Sequence, residues 1–169
     1  MLKRIIFTAF LCFSVSVSAW ETPREAISEF LKFELGGGRL SSDGWKIYIS
    51  KYIDAPEGYM EPGWDMVTVA TEYKIKTVEC SSPTTCIATV DFTLYPTENL
   101  KSPHVIEHKR GGKEQLKYEL INKNKGWLIQ PSMGAPIISL ETYHKHMKRI
   151  AGKPVGWGER SEPQRALLM

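Results

Sequence analysis

The sequence predicts an α+β fold: a curved antiparallel sheet of about four to five strands wrapped around N-terminal helices, with one further helix at the C-terminal end. Three observations predict it. Residues Met66–Tyr95 alternate apolar and polar twice, with a turn and two cysteines between the alternating runs. Two stripes of helical period precede that stretch, within residues 22–35 and 42–53, and a third follows it, within residues 139–152.

The hairpin constrains the rest. Val67, Val69, Thr71, Tyr73, Ile75 and Thr77 are apolar or β-branched, and Glu72, Lys74 and Lys76 stand between them. Successive side chains of a strand point to opposite faces, so the segment is expected to have one dry face and one wet face. The return run is similar, with Ala88, Val90, Phe92 and Leu94 separated by Thr89, Asp91 and Thr93. Ser81–Thr85 supplies turn chemistry, which gives a five-residue loop closed by a Cys80–Cys86 disulfide across the antiparallel pair. So short a loop contributes about 2 kcal/mol at most, and fixes register more than it creates stability.

Residues 1–19 predict a secretory signal peptide: Lys3 and Arg4, an apolar run from Ile5 to Val17, and small residues at Val17-Ser18-Ala19. Cys12 lies in the apolar run and would leave with it, so Cys80 and Cys86 form an even pair in an oxidising compartment, periplasmic or extracellular. The formal charge of +3 falls to +1 without Lys3 and Arg4. That balance argues against a nucleic-acid or membrane-surface role, each of which needs a concentrated basic field. No later stretch is apolar enough to span a bilayer, so no stable membrane insertion is expected after cleavage. A single domain over residues 20–151 and a disordered tail over 152–169 complete the expected organisation.

The first helix opens at Thr22-Pro23-Arg24-Glu25, an N-cap, a proline in the first turn and a glutamate placed for a capping box. Ala26, Ile27, Phe30, Leu31 and Leu35 form its buried side, and Gly36-Gly37-Gly38 ends it. A shorter helix starts near Ser42 or Asp43 and carries Trp45, Ile49, Tyr52 and Ile53 on one stripe. Pro56, Gly58, Pro62 and Gly63 then make a loop that holds Tyr59, Met60 and Trp64. Beyond Tyr95, Gly111-Gly112 can turn a second hairpin, and His104–Arg110 is open between a further strand and a mobile arm. Lys113–Asn122 predicts a strand with Leu116, Tyr118 and Leu120 on its dry face; Trp127–Gln130 predicts a short last one, closed by Pro131. Ser139 opens the last helix, whose stripe is Leu140, Tyr143, Met147 and Ile150.

Pro23 to Leu35, Trp45 to Ile53, Val67 to Val78 and, above all, Lys117 to Ile129 with its Gly126-Trp127 together resemble the nuclear-transport-factor-2-like or ketosteroid-isomerase-like cone fold. The resemblance lies in order and pattern. It implies a sheet curled around helices to leave a conical pocket whose occupant differs between members. In such a cone the inner wall would receive Thr71, Tyr73, Phe92 and Tyr118 from the sheet and Trp45, Tyr48 and Tyr52 from the plugging helix. An aromatic wall with a few hydroxyls suits a small apolar ligand with one polar handle.

Enzymes of this fold that move protons use a carboxylate inside the cone, often with a tyrosine or histidine, and parity puts Asp91 and Glu72 outside. Outward Asp91 is expected to be solvated or to join a homodimer contact on the convex sheet face. His144 and His146 do not share a helix face, and His104 and His108 lack a third ligand, so no metal site is expected. No phosphate loop or nucleophile elbow occurs, and no cofactor is expected. The expected function is a non-catalytic exported module binding a small apolar ligand or a protein partner. An isomerase or dehydratase using the same pocket is the first alternative. The second is an inhibitor or immunity protein presenting Tyr59, Met60 and Trp64.

Overall fold

The computed structural model describes residues 20–60, 66–96, 100, 111–123, 126–131 and 134–151. The expected signal peptide, the His104–Arg110 segment and the 152–169 tail lie outside them.

Helix α1 spans Pro23–Leu35, and the hydroxyl of Thr22 accepts the Glu25 N–H at 3.1 Å, as the capping residues predict. It buries Ala26, Ile27, Phe30 and Leu31 on one side. The last buried position of that side is Glu34, while Leu35 is half-buried, which corrects the expectation of an apolar terminus. The chain leaves through Gly37 at φ +80°, a left-handed turn that favours glycine.

A 3₁₀ turn at Gly38–Leu40 leads into α2, Ser42–Ile47. Ser41 caps α2 by accepting the Gly44 N–H at 3.1 Å. A Cβ on Gly44 would lie 1.7 Å from the Gly38 carbonyl oxygen, so glycine is what lets α2 fold back on the 3₁₀ turn. From Tyr48 to Tyr52 the helix widens into one π-type turn, in which the Ile53 N–H donates to the Tyr48 carbonyl at 3.2 Å. The longer step rotates the stripe that simple helical spacing gives. Tyr48 and Tyr52 are buried, Ile49 and Trp45 are half-buried, and Ile53 is extended.

Five strands form one sheet in the order β4-β3-β2-β1-β5. They are β1 (Thr68–Ser82), β2 (Thr85–Leu94), β3 (Gly112–Lys123), β4 (Gly126–Ile129) and β5 (Ile137–Ser139). The first four make an antiparallel meander, and β5 runs parallel to β1. The fold class is therefore the α+β arrangement that the patterning predicts, a curled sheet with N-terminal helices in its hollow and a C-terminal helix, α3 (Leu140–Ala151).

The hairpin departs from strict alternation. Tyr73 opposite Phe92 and Ile75 opposite Val90 keep the expected face. The irregularity between Ala70 and Glu72 leaves Val69 on the face opposite Tyr73, and the one between Ile75 and Thr77 brings Val78 to the dry side in place of Thr77; Cys80, paired with the buried Cys86, is itself exposed. Bulges of this kind bend a strand and add twist, which is how a fifteen-residue strand curls around a helix. The connection is also tighter than a five-residue loop. Ser82 pairs with Thr85 across Pro83-Thr84, and the Cys80–Cys86 disulfide joins residues whose Cα atoms are 3.9 Å apart.

Two cores result. The larger fills the concave face, where α1, Tyr48, Tyr52 and Ile53 meet Val90, Phe92, Tyr118, Leu120 and Ile129. The smaller joins Val69, Ile138 and Tyr143, with Leu140, Met147 and Tyr95 around them. Ala70 and Ile137 belong to the first core, and their chain neighbours Val69 and Ile138 to the second, so α3 covers the opposite face of the β1–β5 end. The edge strand β4 is covered by chain: the Trp127 N–H donates to the Trp20 carbonyl at 3.0 Å, and the Asp54 N–H to the Ile129 carbonyl at 2.9 Å. Among the described residues, no helix is long and apolar enough to cross a membrane.

Candidate binding site

The concave face is an aromatic network. Phe30 of α1 sits 5.7 Å from Tyr118 of β3 and 6.1 Å from Tyr48, while Phe33 stacks on Tyr52 at 4.7 Å. Trp45 lies 5.1 Å from Tyr48 and 5.7 Å from Tyr59. Helical spacing puts Phe30 and Phe33 on adjacent turns of α1, and the π turn after α2 brings Tyr48 and Tyr52 to them.

Of the side chains expected to line a conical pocket, Tyr48, Tyr52, Phe92 and Tyr118 are buried in this network and Trp45 borders it. These rings pack on one another. Thr71 is not among them: it falls at the first irregularity of β1, is exposed, and its hydroxyl donates to the Thr93 carbonyl at 3.2 Å. Tyr73 remains on the concave side, 6.5 Å from Phe92, but is 36% exposed and lines a cavity together with Lys32 and Leu35 of α1. One pocket lined by all seven residues is thus not what the fold brings together.

Two charged residues enter the network unannounced by the sequence pattern. Glu34 and Arg39 form an ion pair at 2.9 Å, with both side chains only 3% exposed. The same Glu34 Oε1 accepts the Ile137 N–H at 3.1 Å, and Arg39 Nη2 donates to the Gly134 carbonyl at 3.0 Å. The guanidinium also lies 5.2 Å from the centre of the Tyr48 ring. The pair therefore ties the outer edge of β5 and the segment before it to the end of α1. Glu34 sits at helical spacing from Ile27, Phe30 and Leu31; that spacing is the signal that could have placed it inside.

Electrostatics around the network favour neutral phenols. Burial raises the Tyr118 pKa well above that of a free tyrosine, the negative charge of Glu34 raises it further, and Arg39 opposes both. Burial also raises Tyr52, with the Glu29 charge second. Neither hydroxyl can act as a base near neutral pH.

Asp91 faces outward, as parity predicts. It accepts from Gln115 Nε2 at 2.6 Å and lies 3.9 Å from Lys76, in a polar strip across the convex face. Tyr59 is half-buried against Trp45, Met60 is 83% exposed, and Trp64 lies outside the described residues. His104 and His108 lie outside them too. Among the described residues, no three metal-ligating side chains come together.

A cavity of about 640 Å³ lies elsewhere, beside the outer edge of β1 where β5 ends. Leu35, Leu40 and Tyr73 are the apolar part of its lining, and Lys32 of α1 and Lys145 and Arg149 of α3 are the cationic part. The turn after α1 approaches α3 closely there: a Cβ on Gly37 would lie 2.9 Å from Thr142 Cγ2. Lys32 pairs with Glu29, whose hydrogen bond and charge raise the Lys32 pKa, and Lys145 pairs with Glu141 at 2.7 Å, which lowers that of Glu141.

No family model, curated protein or solved structure matches this chain.

Proposed function

We propose that the chain is an exported, non-catalytic binding module of the nuclear-transport-factor-2-like cone type, acting in the periplasm or outside the cell. The observation that carries the non-catalytic reading is the state of Glu34. A general base must reach a proton on its substrate, and this carboxylate already holds a guanidinium and a backbone N–H deep in packed aromatic side chains. Export is supported by the basic, apolar and small-residue order of residues 1–19 together with the Cys80–Cys86 disulfide. The cone assignment is supported by helices α1 and α2 lying in the hollow of a curled antiparallel meander.

Glu34 near Tyr118 is also the observation that favours an isomerase or dehydratase, since an acid and a phenol in a cone are the groups such chemistry uses. Native mass spectrometry of the full-length gene product, recovered from the periplasm of a bacterial host, separates these readings from their failure. The expected result is a mature mass beginning near Trp20, two hydrogens lighter for the disulfide, with a non-covalent adduct retained. An unprocessed chain would remove the export reading. Turnover of an enolisable ketone or a hydroxy-acyl compound that is lost in Glu34→Gln would replace the binding reading with the enzymatic one.

A further inference from the structure

We propose that the cleft between the end of α1 and the outer face of α3 binds a small anionic amphiphile, a molecule with one carboxylate-like head and an apolar body. The inference rests on the binding-module reading and gives it a ligand class and a place, outside the aromatic cone. Three features converge. The cleft volume of about 640 Å³ lies in the range of small-molecule sites, about 300–1,000 Å³. Leu35, Leu40 and Tyr73 give its lining hydrocarbon and an aromatic ring, and the Tyr73 ring lies 6.5 Å from Phe92. The lining also carries three permanent cations, Lys32, Lys145 and Arg149, against the single carboxylate of Glu141.

The cations are not equivalent. Lys32 and Lys145 each already face a carboxylate on their own helix, so their charge is largely answered. Arg149 has no carboxylate within ion-pair distance among the described residues, and it donates to His146 Nδ1 at 3.3 Å. A guanidinium has five N–H donors in a planar fork, so a carboxylate can be gripped at two points while the histidine contact is kept. With the head on Arg149, an apolar chain would run down the α3 wall toward Leu40 and Tyr73. A neutral ligand would forgo the charge, and a short anion would forgo the apolar lining.

The test is a titration of the mature, disulfide-intact protein with decanoate, decanol and acetate, followed by amide chemical-shift mapping. Saturable decanoate binding with shifts at Leu40, Thr142 and Arg149 is expected, with decanol and acetate each at least about tenfold weaker. Arg149→Gln, an exposed substitution, should weaken decanoate about tenfold and leave decanol unchanged, and Tyr73→Ala should weaken both amphiphiles. Equal affinity for decanoate and decanol, or shifts centred on Phe30 and Tyr118, would overturn the assignment. So would an inert response to decanoate alongside a retained partner protein or a different adduct, an outcome that leaves the binding-module reading standing. No adduct, no partner and no titration response would remove both.

Discussion

Glu34 shows how one residue can hold a structure together and still look like surface from its sequence. It stands between Phe33 and Leu35, two residues after Lys32, and three glycines follow from Gly36, so a glutamate there reads as a solvated helix end. Its partner Arg39 is only five residues on, but the chain must reverse through Gly37 before the two can meet. Truncating one member of a buried pair strands the other charge, at a cost of about 3–5 kcal/mol. Glu34→Ala is therefore expected to lower the unfolding free energy read from urea melts by that much, and adding Arg39→Met should recover a good part of the loss. A single variant as stable as the parent would show that the pair does not clamp β5. Tyr118 gives a second residue-scale prediction. Its pKa is raised in the folded state, so below about pH 10 both states keep the proton and the group adds no pH dependence. Above that pH the unfolded chain releases the proton and the folded one does not. Stability should then fall by up to about 1.4 kcal/mol per pH unit, and Tyr118→Phe should make the alkaline decline shallower in urea melts between pH 8 and 11.

Among the elements, the hairpin was the most legible because its signals agree: alternation, turn residues and a cysteine pair all point to one register. What alternation could not show was the bulges, which are set by how far β1 must bend to follow α1. The disulfide joins β1 to β2 between the irregularity at Ile75–Thr77 and the one at Cys80–Ser82, next to the tip, so it acts on register near Pro83-Thr84. Cys80→Ser with Cys86→Ser should cost about 2 kcal/mol of equilibrium stability and leave the far-ultraviolet circular dichroism unchanged. Free thiols in the denatured, unreduced mature protein would contradict the pairing. The second helix was located correctly by its apolar spacing, but its π turn was not, since an i to i+5 step leaves no composition mark. Strand β5 was missed for a related reason. Three residues after a proline carry no period, and Ile137-Ile138 become a strand only because β1 offers them an edge.

At the scale of the whole molecule, the unequal cores predict unequal stability. The concave core is continuous from α1 to β4, whereas α3 is held by the small cluster of Val69, Ile138 and Tyr143. Among the described residues the Tyr143 hydroxyl is buried without a hydrogen-bond partner, a further cost to this small cluster. Tyr143→Ala, which removes about 3–5 kcal/mol of aromatic packing, should release α3 while the meander survives. Hydrogen exchange would then show lost protection in α3 and retained protection in β2 and β3; loss throughout would mean that the cores are one cooperative unit. By itself, the sequence determined the α+β class, the order of its helices and the meander, and the cross-linked hairpin, because each of these is written in periods, caps and turns a few residues long. Only the tertiary structure decided that the hollow holds packed rings and an ion pair, that Thr71 leaves it, and that a cationic cleft opens beside α3. Those outcomes depend on which distant segments share a space once the sheet has curled, and no local pattern records that.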